Sequence, residues 1–239
     1  MASMSTLQDN FTIDDSATLW SGSFGTFSIS GGQLSLSDGN FSAGYAGLQS
    51  TSHFDLTNSF LAIKLVNAGA QTASTQALIQ CQKDANNTLS LMVNNSQLLA
   101  QTDVAGSFST VGSPVTYNAT NHRWLRISES AGIVNFGYSA DGITWNTLAT
   151  VANPFAVTSL LALVLEGNFA GDAAATTSTW DNLNILPVTG TGSSRAKKLI
   201  ATGTGSDLPA RGKSHVTGLE PYDSEVSGKS ATSTMSGHT

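Results

Sequence analysis

Carboxylates able to do acid–base chemistry are scarce in this chain. Between residues 1 and 186 the only glutamates are Glu129 and Glu166. Cleaving a glycosidic bond takes two carboxyl groups flanking the scissile oxygen, one of them held protonated. Glu129 and Glu166 fall in separate strand-like runs, so no catalytic residues are expected. Glu166 ends the apolar run LLALVLE and is the better placed of the two, as a strand-end carboxylate or a ligand's hydrogen-bond acceptor.

Holding a sugar asks for less: aromatic faces against the ring, flanked by amides, hydroxyls and carboxylates that replace its water. The stretch 122–145, HRWLRISESAGIVNFGYSADGITW, and the Asn146 after it concentrate such groups. The ligand-binding candidates are therefore Asn135, Ser139, Thr144, Trp145, Asn146 and Glu166. Tryptophans on strands are more often core than site, and the turn decides which applies to Trp145. If Asp141-Gly142 is a two-residue loop, Tyr138 opposes Trp145 and the indole is core. Asn135, Gly137, Ser139, Thr144 and Asn146 then form the exposed face. If Ala140-Asp141-Gly142 is a three-residue loop with a bulge, Gly137 opposes Trp145, and the indole joins Asn135 on the other face. The two-residue register is the expectation, with the other left open.

Metal ligation has weaker support. Asp14-Asp15, Asp38-Gly39-Asn40 and Asp84 with Asn86 are oxygen donors suited to Ca²⁺, yet none has EF-hand spacing and each reads as a turn. His53, His122, His215 and His238 show no zinc spacing. No metal and no cofactor is expected. Cys81 is the single cysteine, in the run ALIQC, and reads as a buried inert thiol.

The elements that must position these groups are strands. Runs at 24–30 and 33–37 flank Gly31-Gly32, and runs at 45–51 and 59–66 follow. A meander over 75–83, 88–93 and 97–101 turns at Asn86-Asn87 and Asn94-Asn95. After the 122–145 stretch comes 143–151. LLALVL at 160–165 is apolar throughout and reads as a central strand buried on both faces. TSTWDNLNIL at 177–186 closes the series. No segment carries a capped helical period, which predicts a two-sheet sandwich.

Of the 239 residues, 40% are hydrophobic and only 11% charged, about half the usual charged share. Residues 1–186 carry twelve acidic and four basic residues, a balance of −8; residues 187–239 carry four and six, or +2. Nothing here is basic enough to bind nucleic acid. The first residues, MASMSTLQDNF, are not read as a signal peptide, and no window approaches the ~18 apolar residues of a membrane span. Residues 187–239 hold few apolar groups and repeat TGTGS at 189–193 and 202–206. They read as an extended, coreless tail suited to docking on neighbouring subunits. A secreted-type composition without disulfide or leader fits a particle assembled in the cytoplasm and released by lysis.

Three pieces in order resemble one family. Asp9-Asn10-Phe11 with Trp20 looks like its opening strand. Arg123-Trp124-Leu125-Arg126-Ile127, then Gly132, Val134, Phe136 and Ser139 through Trp145, look like its central hairpin. Trp180-Asp181-Asn182-Leu183 looks like the closing strand beside the first. Together residues 8–186 resemble the concanavalin A-like lectin/glucanase superfamily, the jelly-roll sandwiches that include laminin-G-like modules. The resemblance implies a curved sandwich whose concave face, in many members, binds carbohydrate. The family's hydrolases carry Glu-x-Asp-x-x-Glu, which is absent here. Ser139-x-Asp141-Gly142-x-Thr144-Trp145 is similar to the Asp-box of sialidases but lacks the residue between Asp and Gly.

The expected fold is thus all-β: a two-sheet antiparallel jelly-roll sandwich over 8–186, after a short extension 1–7 and before the tail 187–239. Domains of this type also resemble parts of bacteriophage minor tail proteins. The expected function is a non-enzymatic virion structural protein, a minor tail or tail-tip subunit. It would contact other virion subunits through 187–239 as part of a homo-oligomeric assembly, and a host cell-wall glycan through its sandwich. The alternatives are a carbohydrate-binding module on a bacterial surface or a capsid decoration protein.

Overall fold

The computed structural model describes residues 1–14, 18–37, 44–70, 75–168 and 176–188. The expected tail from 189 onward, and the candidate Ca²⁺ groups at Asp15 and at Asp38-Gly39-Asn40, lie outside the described residues. Fourteen strands occur among those described: β1 Trp20–Phe24, β2 Thr26–Ser30, β3 Gln33–Ser37, β4 Gly44–Ser50, β5 Phe60–Asn67, β6 Thr75–Asp84, β7 Asn87–Asn94, β8 Gln97–Val104, β9 Ser107–Thr116, β10 Trp124–Ser130, β11 Ile133–Ser139, β12 Asn146–Ala152, β13 Leu161–Asn168 and β14 Thr177–Asp181. One short 3₁₀ turn, Met4–Thr6, precedes them.

The strands form two seven-stranded antiparallel sheets. The first runs β1-β4-β13-β6-β7-β8-β9 and the second β12-β11-β10-β5-β14-β3-β2. This is the all-β sandwich that the alternating pattern predicts. On β6, Ala77, Ile79 and Cys81 point into the core while Gln76, Gln80 and Gln82 point away from it. Leu48, Leu91 and Val164 of the first sheet meet Leu61, Ile63, Leu125, Phe136 and Trp180 of the second in one buried cluster. Each such side chain contributes about 1.5–3 kcal/mol on leaving water.

The run LLALVL is central as expected. β13 pairs with β4 on one side and β6 on the other. Ala162 and Val164 enter the core, and Leu163 and Leu165 are buried on the opposite face with Leu78 and Met92.

Turns follow their backbone demands. Gly31 and Gly32, with φ of +61° and +76°, close β2–β3 where expected. The β7–β8 turn uses Asn95 and Ser96, with φ of +47° and +59°, one residue later than the sequence suggested. Two successive positive φ values are what a two-residue hairpin of this twist requires.

β9 was not anticipated. Pro114 and Gly112 interrupt its pattern, and most of its residues are exposed. It pairs with β8 alone, at the sheet edge, where a strand tolerates proline.

The two ends of the sandwich lock together. Asp9 bridges Leu183, bringing the resemblance's opening and closing pieces side by side, although β14 itself pairs with β3 and β5. Asn184 uses every polar atom of its buried side chain. Its Nδ2 donates to the carbonyls of Met4 at 2.9 Å and Leu7 at 2.8 Å, and its Oδ1 accepts the Ala62 N–H at 2.7 Å. Before β10, the Asn118 N–H donates to Nδ1 of buried His122 at 3.1 Å, and the imidazole meets the Tyr138 ring edge-on at 4.4 Å.

Candidate functional site

The outward face of the first sheet carries amides and hydroxyls in register. Strand alternation and pairing place Gln49, Leu163, Gln80, Ser90, Gln101 and Thr110 in one row across β4, β13, β6, β7, β8 and β9. Nε2 of Gln80 donates to Oγ of Ser90 at 3.2 Å. A second row beside it holds Gln82, Thr88, Asp103 and Phe108. Six strands at about 4.8 Å spacing make a track roughly 24 Å long, the reach of a short oligosaccharide rather than one sugar. A cavity of about 350 Å³ opens on this face, with Gln49, Gln80, Gln82, Asp103 and Phe108 among its lining.

Aromatic groups sit at both margins of the track. Phe108 on β9 is 67% exposed. On β4 the Tyr45 hydroxyl donates to Oε1 of Gln76 at 3.2 Å, and burial pushes its pKa up to about 12. Asp103 is the most demanding group here. It is only 2% exposed, and its Oδ1 is fully enclosed without a hydrogen-bond partner among the described residues. A buried acceptor left unmet costs about 1–3 kcal/mol, more when charged.

None of these residues was singled out from the sequence. Glutamines alternating with apolar residues read as an ordinary wetted strand face, and only strand order reveals that they line up.

The six sequence candidates are not brought together. Glu166 shares the inward face of β13 with Val164, opposite Ala46 and Ala77, and is fully buried between the sheets. It therefore lies on the outward face of neither sheet. Glu129 is likewise internal: its two carboxylate oxygens accept the N–H groups of Asn58 at 2.7 Å and Gly132 at 2.6 Å.

The other five candidates lie around the β11–β12 connection, but they do not share one surface. Neither expected register is found, because residues 140–145 form a six-residue loop and Tyr138 pairs with Asn146. The cause is a side-chain scaffold. Ser139 Oγ donates to Oδ1 of Asp141 and accepts the Gly142 N–H, each at 2.9 Å. Asp141 Oδ1 then accepts the N–H groups of Ile143 and Thr144, each at 2.8 Å, which holds its carboxyl below the usual range. Ser139 is thereby a fully buried turn former.

Trp145 is not core. Its ring stacks on the Arg126 guanidinium, 4.1 Å from the ring centroid. It lies beside Gly137, whose missing Cβ would stand 3.7 Å from the indole. Asn135 shares this outer face of the second sheet, its Nδ2 donating to Oγ1 of Thr147 at 3.0 Å. Thr144 and Asn146 are exposed near it, Asn146 opposite Tyr138. Trp20, Trp124 and Trp180 are buried, as expected of most tryptophans here. The Asp84 carboxylate is taken up by its own turn, accepting from the Asn86 N–H and the Asn87 side chain.

No protein-family model and no curated protein matches the chain. Solved structures do match its shape. An apo Crh5 transglycosylase aligns over 76% of this chain and 85% of its own, with TM-score 0.57 and 11% identity. The Bacillus licheniformis beta-glucanase aligns over 74% and 95%, with TM-score 0.54 and 9% identity. A structure reported with endo-acting O-glycanases of human gut microbiota that initiate mucin breakdown aligns over 75% and 98%, with TM-score 0.53 and 9% identity. The chain has the concanavalin A-like jelly-roll fold of these glycoside hydrolases and transglycosylases.

That finding overturns the expectation of a non-enzymatic virion structural protein. The expectation leaned on composition, on the tail and on a resemblance to parts of bacteriophage minor tail proteins, none of which determines function. The fold it was attached to is shared with structures named as a transglycosylase, a beta-glucanase and endo-acting O-glycanases.

Proposed function

We propose that this chain is a carbohydrate-active protein that lays a polysaccharide across the outward face of its first sheet. The observation carrying this reading is the track of in-register amides and hydroxyls, with Asp103 among the residues lining the cavity that opens on it. Gln49, Gln80 and Gln101 offer both donors and acceptors to sugar hydroxyls, and Phe108 offers a ring face. Asp103 accepts a hydrogen bond from a sugar hydroxyl and orients the chain.

A second reading, favoured by the Asp103 carboxylate and by the enzymes sharing the fold, is cleavage or transfer of a glycosidic bond. Two carboxyl groups are needed for that chemistry. In that reading Asp103, a carboxylate on this face, takes one of the two roles.

The test is a panel of soluble polysaccharides assayed for retardation in affinity gels and for release of reducing ends. Asp103→Asn should weaken binding roughly tenfold, as for a lost charge-assisted hydrogen bond, and should abolish any reducing-end release. Full retention of both by the variant refutes the role of Asp103. Failure of every polysaccharide to bind the parent protein refutes the reading itself.

A further inference from the structure

The outer face of the second sheet holds a cation that no carboxylate among the described residues answers. Arg126 lies on β10, beside Ala62 of β5 and Gly137 of β11. Its Nε is enclosed and has no hydrogen-bond partner among the described residues, and its guanidinium is engaged by stacking on Trp145 at 4.1 Å. Loss of solvent lowers its pKa. A guanidinium presents five donors in a planar fork that fits a carboxylate two bonds at a time.

The carboxylates on the neighbouring elements are already committed. Asp181 on β14 pairs with Lys64 at 3.0 Å. Glu129, on the same strand as Arg126, faces inward to the N–H groups of Asn58 and Gly132. Asp141 holds its own loop through Ile143 and Thr144. Described residues therefore leave Arg126 without a counter-ion, in a segment whose overall balance is −8 over residues 1–186. Beyond Ala62, Gly137 and the indole the face carries polar groups: Ser128 and Asn135 are register partners, and Asn135 bonds the exposed Thr147.

We propose that Arg126 and Trp145 form a binding site for a carboxylated sugar, separate from the track on the first sheet. The fork of Arg126 takes the carboxylate, the indole edge and face take the ring, and Asn135 with Thr147 takes ring hydroxyls. An acidic peptide shares the carboxylate but has no use for a hydroxyl-matching rim, so a sugar acid is the better fit. This site stands whether or not the first sheet binds polysaccharide.

The experiment titrates the full chain with oligogalacturonate, its methyl ester of equal length, and an oligoglutamate peptide, following tryptophan fluorescence. Oligogalacturonate should bind, more weakly as salt rises, while the neutral methyl ester should bind at least roughly tenfold less tightly, as expected for losing a charge-assisted pair. Arg126→Gln and Trp145→Ala should each weaken oligogalacturonate by a similar factor with the circular dichroism unchanged, and Arg126→Lys should recover only part. Asp103→Asn should leave this binding intact. No binding of oligogalacturonate, equal binding of the methyl ester, equal or tighter binding of the peptide, or loss of binding on Asp103→Asn would each overturn the proposal.

Discussion

Oδ2 of Asp9 accepts the indole N–H of Trp20 at 2.9 Å, with both residues buried. Oδ1 of the same carboxylate accepts the Phe11 N–H at 2.7 Å. One side chain thus fixes the turn after residue 9 and anchors the first strand of the opposite sheet. Asp9→Ala leaves two buried donors unmet and should cost about 3 kcal/mol. Urea unfolding monitored by tryptophan fluorescence reads this out, and an unchanged midpoint would show that the pair is incidental.

His122 sets a pH dependence. Burial holds its pKa below the ordinary 6.5, and its Nδ1 must be unprotonated to accept from Asn118. The unfolded chain therefore binds the proton more readily than the folded one. The His122 contribution is fully present above pH 6.5 and is lost as pH falls through the lower folded value. Melting temperature should fall between pH 7 and pH 5, and His122→Phe, which keeps the ring against Tyr138, should flatten that slope. Asp84 and Asp141, both held below the usual carboxylate range, stay ionised throughout this window. A slope identical in the variant would assign the effect elsewhere.

Gly142 has φ of +74°, and a Cβ there would lie 2.8 Å from both the Trp124 ring and the Pro187 ring. Strain and overpacking act together, so Gly142→Ala should cost about 2–4 kcal/mol. The loop must also shift, which would lift Trp145 from Arg126. A lower melting temperature together with altered tryptophan emission is the expected pair of signals.

Cys81 is completely enclosed between the sheets, and burial pushes its thiol pKa far up. Alkylation by iodoacetamide should be negligible in the native protein and should follow the unfolding equilibrium as urea is added. Rapid labelling without denaturant would contradict the packing.

Strand placement was legible wherever one face met the core and the other met water, and at Gly31-Gly32, where the backbone admits few residue types. Facing was not legible on β13. A strand covered on both sides alternates nothing, so Glu166 in that run carried no mark of which way it pointed. Trp145 was misplaced for a different reason: counting residues between strands ignores side chains, and Ser139 with Asp141 builds a loop longer than any tight-turn rule supplies. Asp103 and Gln80 were invisible because their significance lies in register with strands up to several dozen residues away. β9 hid behind Pro114 and Gly112, which mark breaks anywhere except at an edge.

Asn184 also bears on how the molecule comes into being. Its amide ties residues 4, 7 and 62 to a position more than a hundred residues further on. A growing chain emerges from the ribosome with its first segment long before that amide exists. Until position 184 is free, the carbonyls of Met4 and Leu7 and the N–H of Ala62 have no native partner there. The sandwich closes only once nearly all of it has been translated, and its early strands wait open-edged in the meantime.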